Sequence, residues 1–130
     1  MTRPVGDYLE DVARLLEGSG GFFQNAASIT THPDNTGLLR GVLSFAPSGR
    51  RLSFFLSAVP LDDYFALLRY RFHFADADGE LIFRYDNAPH YPGLPRFPMH
   101  KHRRGSVRPQ GAMLPSIRNL VREIRDIEGN

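Results

Sequence analysis

The sequence predicts a single α+β domain in which an N-terminal and a C-terminal helix cover one face of an antiparallel sheet of hairpins. Apolar residues recur at helical spacing near both ends of the chain, and alternating strands separated by turn signals lie between them. The length of 130 residues suits one hydrophobic core, so we treat 1–130 as one domain. We expect the sheet face without helices to be open.

Caps and apolar stripes place the two helices. Asp7, followed by Glu10 three residues later, predicts a first helix over about 7–17. Ser116 predicts the N-cap of the last helix. The apolar stripe of that helix consists of Ile117, Leu120, Val121, Ile124 and Ile127.

Turn signals divide the region between the helices into strands. We expect one strand over 22–31, a second over 38–45, and a third through the alternating residues 51–58. The segment 60–63 is interpreted as a connector that opens one helical turn. A proline-rich loop is expected over 88–98.

The pair Asp78-Gly79 lies between two aromatic-rich runs and predicts a hairpin with a two-residue type I′ turn. A four-residue loop from Asp76 to Gly79 would move the pairing but keep the same two faces, whereas a bulge would break them. The two-residue turn places His73 opposite Arg84 and Arg71 opposite Asp86, and directly opposed residues share a face. One face of the hairpin therefore carries Arg69, Arg71, His73, Arg84 and Asp86. The other face carries Tyr70, Phe72, Phe74, Leu81, Phe83 and Tyr85, which we interpret as core.

The polar side of this hairpin crowds three arginines beside a histidine, which costs energy unless an anion or a counter-charge is near. Guanidinium groups bind phosphate through two donors, and histidine exchanges protons near neutral pH. Metal-independent phosphodiester cleavage needs such a base, an acid and cations. An alternative remains open, in which Asp86 pairs with Arg71 and Arg84, and His73 is a bystander.

A basic segment follows the hairpin. No Asp or Glu occurs from Asn87 through Arg122, whereas this span contains seven cationic side chains: Arg96, Lys101, Arg103, Arg104, Arg108, Arg118 and Arg122. In an extended chain, His100 and His102 point the same way and Lys101 points the opposite way. One of these two histidines, or His90, is the expected partner of the hairpin histidine. Two histidines at this spacing can also chelate zinc, but a closed site needs more ligands, so we expect no metal and no other cofactor. The alternative interpretation of the segment is a solvated basic loop.

The candidate residues fall into two sets. The candidate catalytic residues are His73, Arg71, Arg84, Asp86, His100 and His102. The candidate RNA-binding residues are Arg69, Asn87, His90, Lys101, Arg103 and Arg104. Within these sets, Asp86 is expected to orient a histidine or an arginine, and Asn87 to brace the turn into the loop.

The composition excludes several classes of protein. Without cysteine the chain has no disulfide framework, thiolate metal site or cysteine nucleophile. No apolar run approaches the roughly 18 residues of a membrane span, and the N-terminus lacks the apolar core of a secretory signal. We therefore expect a cytoplasmic protein that does not engage a membrane.

Three segments resemble the TumE-like family of bacterial toxins. They are Tyr70-Arg71-Phe72-His73-Phe74, then Leu81-Ile82-Phe83-Arg84-Tyr85-Asp86-Asn87-Ala88-Pro89-His90, then Phe97-Pro98 with His100-Lys101-His102. The resemblance spans about 38–127. It implies the toxin of a toxin–antitoxin pair, a growth inhibitor neutralised by a cognate antitoxin protein. It implies no reaction, so RNA cleavage rests on the polar hairpin face and on analogy with other small toxins.

Two further hypotheses compete with an RNA-cleaving toxin. A non-enzymatic binding module would inhibit a cellular target through its basic loop and aromatic hairpin, so charge reversal at Arg103 and Arg104 would do more harm than His73→Ala. Alternatively, the charged face is covered by the antitoxin or by a second copy of the chain. Formation of a homo-oligomer is left open.

Overall fold

The computed structural model describes residues 3–89, 93, 95–106 and 109–129. The helices are α1 (Val5–Glu17) and α2 (Ile117–Glu128). The strands are β1 (Phe22–Phe23), β2 (Ser28–Thr31), β3 (Gly37–Ser44), β4 (Arg51–Leu61), β5 (Tyr64–Ala75), β6 (Leu81–Asp86), β7 (His100–Arg103) and β8 (Gln110–Gly111).

The eight strands form one antiparallel sheet in the order β1-β3-β4-β5-β6-β7-β8, and β2 also pairs with β3. Both helices pack on the same face of this sheet, and among the described residues no helix covers the opposite face, which is open over β3, β4 and β5. The predicted fold class is therefore confirmed. In the described part of the chain, neither helix is long and apolar enough to cross a membrane.

The core fills the space between the sheet and the helices. Burial alternates along β4 and β5, as expected for strands with one covered face. The helices contribute Leu9, Val12, Leu16, Leu120 and Ile124. The sheet contributes Leu39, Leu43, Leu52, Phe54, Leu56, Tyr70, Phe72, Phe74, Phe83 and Tyr85. The aromatic side of the predicted hairpin is thus core.

The prediction for the start of α1 was wrong by two residues. The helix begins at Val5, and Pro4 in the N-cap position makes no side-chain cap bond. Instead, Asn35 in the β2–β3 turn accepts a hydrogen bond from the backbone N–H of Val5 at 2.8 Å. A tertiary contact therefore replaces the local cap, and Asp7 lies in the first turn. At α2 the predicted cap is confirmed, because Ser116 Oγ accepts from the backbone N–H of Asn119.

Two strand boundaries also differ from the prediction. The expected strand over 22–31 is divided into β1 and β2, which both pair with β3. The connector at 60–63 contains no helical turn, because β4 continues to Leu61 and pairs it with Tyr64. Asp62, in the left-handed region at φ 54°, makes this tight turn possible.

The β5–β6 hairpin has the predicted register at Arg71 and His73, but the register shifts by one residue near the turn, where Ala75 pairs with Leu81 instead of Ile82. His73 pairs with Arg84 and Arg71 with Asp86. The turn closes through a hydrogen bond from Gly79 N to Asp76 O at 2.9 Å, and of these residues Gly79 alone has a positive φ. The predicted type I′ turn was therefore wrong, since a longer loop with a bulge next to the turn also fits twisted strands. Because the bulge lies at the turn, the two faces are preserved.

Candidate functional site

The open sheet face brings the six candidate catalytic residues together in two adjacent rows. We call it the polar face; β4, β5, β6 and β7 cross it side by side. The first row contains, in strand order, Ser53, His73, Arg84 and His102. The second row contains Phe55, Arg71, Asp86 and His100. Neighbours within a row are one strand spacing apart, about 4.8 Å.

His73 lies in the first row, directly opposite Arg84. Partial burial, followed by the positive charges of Arg84 and Arg71, lowers the pKa of His73 below its usual value. The imidazole is therefore neutral at pH 7, and in this state it accepts a proton.

His102 lies on the other side of Arg84, and its ring centroid is 5.1 Å from that of His100. Burial is the largest cause that lowers the pKa of His102, and Arg84 and His100 act in the same direction. The carboxylate of Asp86 opposes this shift. His100 itself is buried, and its Nδ1 donates a hydrogen bond to the carbonyl oxygen of Pro98 at 2.8 Å.

Asp86 is largely buried and fixes the chain as it leaves β6. Its Oδ1 accepts from the backbone N–H of Ala88 at 2.6 Å, while Oδ2 lies 3.9 Å from Arg84 Nε. No carboxylate of the described residues lies within 4 Å of a nitrogen of Arg71. The alternative in which Asp86 pairs with both Arg71 and Arg84 is therefore met only in part, because Asp86 contacts Arg84 and not Arg71.

Positive charge dominates the polar face. Five arginines project from its strands: Arg40, Arg51, Arg69, Arg71 and Arg84. Among the described strand residues on this face, Asp86 is the one carboxylate. Such an excess of cations attracts anions, above all phosphates.

A cavity of about 530 Å³ opens on this face beside the row that contains His73, Arg84 and His102, which we call the histidine row. Its walls include Arg40, Val42, Ser53, Phe55, Arg69 and Arg71. Sequence reasoning placed Arg69 and Arg71 here but missed the contribution of β3 and β4. The alternation along β4 indicated which of its side chains share one face. It did not show which β5 residues they lie beside, because that depends on the β4–β5 register and its bulge.

Lys101 does not lie on the polar face. It is buried on the helix side, where its ammonium donates to Glu123 Oε2 and to the Tyr85 hydroxyl, each at 2.7 Å. The predicted opposite orientation of Lys101 relative to His100 and His102 is confirmed.

The remaining RNA-binding candidates are dispersed. Arg103 is exposed at the end of β7 on the side of Lys101, and Arg104 forms an ion pair with Asp76 at the hairpin turn. Asn87 is buried and joins β6 to β5, since its side chain bonds the backbone of Tyr70 and Leu68. His90 lies outside the described residues.

The polar face does not assemble a metal-ligand set from the residues that the structure describes. No three histidine or carboxylate ligand atoms on it lie within 4.8 Å of one another. Such a group occurs in the β5–β6 turn, where it consists of Asp76, Asp78 and Glu80.

The model of the toxin TumE family matches residues 13–128, nearly the whole domain with all six candidate catalytic residues. This chain belongs to the TumE toxin family. Membership assigns it a toxin role and suggests an antitoxin as its partner. No curated protein and no solved structure matches this TumE-family chain.

Proposed function

We propose that this TumE-family toxin inhibits growth by cleaving RNA on its polar face, through general acid–base catalysis that needs no metal. One observation carries the proposal: His73 and His102 flank Arg84 in a single row across β5, β6 and β7. Two proton-transfer groups therefore lie on opposite sides of a phosphate-binding cation.

His73 supplies the base. Burial and the neighbouring guanidinium groups lower its pKa, so it is neutral at cellular pH and accepts the proton of an attacking hydroxyl. In RNA that hydroxyl is the 2′-OH beside the scissile phosphate.

His102 supplies the acid, because it is partly exposed, whereas His100 is buried and its Nδ1 donates to the Pro98 carbonyl oxygen. Burial, followed by Arg84 and His100, lowers the pKa of His102, and the Asp86 carboxylate opposes this shift. A bound phosphate adds a second negative charge that favours the imidazolium when the substrate is in place. The Cα atoms of His73 and His102 are two strand spacings apart, about 10 Å, which leaves room for a phosphodiester between the rings.

The arginines hold the phosphate and stabilise its developing charge. Arg84 lies between the two histidines, and Arg71 lies in the next row without a carboxylate partner among the described residues. Asp86 acts as a positioning residue, because its carboxylate faces Arg84 and anchors the backbone that follows β6.

The reaction is a transesterification. The 2′-oxygen forms a bond to phosphorus while its proton passes to His73, and the bond from phosphorus to the 5′-oxygen breaks. The leaving oxygen takes a proton from the imidazolium acid. The products are a 2′,3′-cyclic phosphate and a 5′-hydroxyl, so no oxidant, reductant or metal takes part.

Growth of bacteria that express the variants tests this proposal. We expect His73→Ala to abolish growth arrest, since the base is lost, while the fold remains because the side chain is only partly buried. His32→Ala is the matched control, because His32 is exposed in the β2–β3 turn. Arrest by a folded His73→Ala variant would remove this histidine from the mechanism.

The binding-module alternative predicts a different ranking. If charge reversal at Arg103 and Arg104 abolished arrest while His73→Ala remained toxic, the toxin would act by occupying its target. Circular dichroism of each purified variant distinguishes a lost function from a lost fold.

A further inference from the structure

We propose that the cavity on the polar face is a subsite for one unpaired nucleobase, which stacks on Phe55, so the substrate is single-stranded RNA. This inference rests on the proposed function and specifies its substrate class. It adds a binding residue on β4, outside the histidine row.

Phe55 is an unusual side chain for its position. Apart from Tyr64 at the exposed tip of the β4–β5 hairpin, the other aromatic residues of β4, β5 and β6 face the core, whereas Phe55 lies half-buried among the polar side chains of the open face. The guanidinium of Arg40 is 5.5 Å from its ring centroid, and Arg71 is its partner on β5. The ring therefore lies partly exposed between two cations, on a face where phosphates are attracted.

Such a pair provides what an RNA base requires. Unpaired bases stack on aromatic rings and on guanidinium planes, and the contact tolerates any base because every base has a π face. The cavity of about 530 Å³ falls within the range of small-molecule sites.

The position of Phe55 connects this subsite to the proposed chemistry. Phe55 is one strand spacing from Arg71, and two residues along β4 from Ser53, which opposes His73. A base stacked on Phe55 therefore places its own phosphate above Arg71 and His73. In a duplex the base faces are covered by neighbouring bases, so the subsite accepts single strands only.

Fluorescence anisotropy with a labelled ten-nucleotide 2′-O-methyl RNA measures this binding without cleavage, because its riboses cannot attack. We expect Phe55→Leu to weaken binding at least about fivefold, the lower end of the effect of one base stack. Phe55→Tyr should retain affinity. Tyr64→Leu, which removes an exposed ring at the tip of the β4–β5 hairpin, is the matched control and should change nothing.

Two further probes separate the base from the backbone. An abasic oligomer of equal length should bind parent and Phe55→Leu alike, since it offers only phosphates, and a duplex should bind the parent more weakly than the single strand. Equal binding of the single strand by parent and a folded Phe55→Leu would overturn the subsite and leave the cleavage proposal intact. A parent that binds no RNA would overturn both proposals. Phe55-dependent binding without cleavage of unmodified RNA would keep the subsite and reject the reaction.

Discussion

Burial, followed by the neighbouring cations Arg84 and Arg71, lowers the pKa of His73, so its imidazole is neutral at pH 7. Its folded pKa lies below the ordinary 6.5, so protonation removes the base only in acidic solution. We expect kcat/KM for RNA cleavage to fall, at up to tenfold per pH unit, as the pH drops below that pKa.

The variant Arg84→Gln tests the electrostatic part of this shift, because Arg84 lowers the pKa of His73 more than any other charge does. The acid limb of the pH profile of any residual activity should move to higher pH. An unchanged limb would show that a different group controls the profile.

The same shifts make the fold less stable in mild acid. The pKa values of His73 and His102 are lower in the folded state than in the unfolded chain. Below about pH 6.5 the unfolded chain therefore binds more protons, and the free energy of unfolding decreases as the pH falls. Urea unfolding at pH 7 and pH 5.5 measures this loss, and His73→Gln should reduce it. If the free energy of unfolding of His73→Gln decreased by the same amount between pH 7 and pH 5.5, the loss would come from other titrating groups.

Between β6, β7 and α2, the ion pair of Lys101 and Glu123 joins the outer strands to the last helix. The Tyr85 hydroxyl donates to Glu123 at 2.8 Å, and the ammonium lies 4.4 Å from the Tyr85 ring centroid. We expect Glu123→Gln to lower the free energy of unfolding by about 2 kcal/mol, because it leaves a buried ammonium without its carboxylate.

The double variant Lys101→Met/Glu123→Gln should recover most of that stability, since no buried charge remains. Urea unfolding measures both variants. RNA affinity of the folded Lys101→Met protein should equal that of the parent, because Lys101 lies on the helix side of the sheet. Weaker RNA binding by this variant would contradict the assignment of RNA to the polar face.

Local patterns predicted the elements whose contacts are local. The alternation along β5 and β6 predicted their two faces and the pairing of His73 with Arg84, and this pairing held although the turn was wrong. Ser116 predicted the start of α2, because its cap bond spans only three residues. The start of α1 depends on Asn35, about thirty residues away, which no local pattern contains.

The candidate site was predicted only in part, because some of its contacts join segments that are far apart in the sequence. The spacing of His100 and His102 indicated a shared direction, but their pairing with β6 forms across a proline-rich segment that has no strand period. The cavity required the register of β3, β4 and β5 together. Phe55 was therefore missed, although the alternation of β4 placed it on the polar side.

The net charge is only +2, but positive and negative side chains are unevenly distributed over the molecule. Carboxylates pair with cations at the helices and turns, as Asp76 does with Arg50 and Arg104, whereas the polar face keeps its arginines in excess. We expect RNA affinity to fall steeply with salt, with a slope of log K against log salt of about −0.7 for each phosphate neutralised.

Arg71→Ala should make that slope shallower, lowering its magnitude by about 0.7, because one phosphate contact is lost. Arg118→Ala is the matched control, since Arg118 is exposed on α2 and should leave the slope unchanged. If the control reduced the slope and Arg71→Ala did not, the RNA would bind on the helix side.

The chemical ends of RNA cut by the purified toxin in excess chelator show whether the polar face cleaves RNA by metal-independent acid–base catalysis. We expect 2′,3′-cyclic phosphate and 5′-hydroxyl ends from the parent and from His32→Ala, and intact RNA from His73→Ala. Cleavage by a folded His73→Ala protein, ends of another kind, or no cleavage of cellular RNA by a parent that arrests growth would contradict this mechanism.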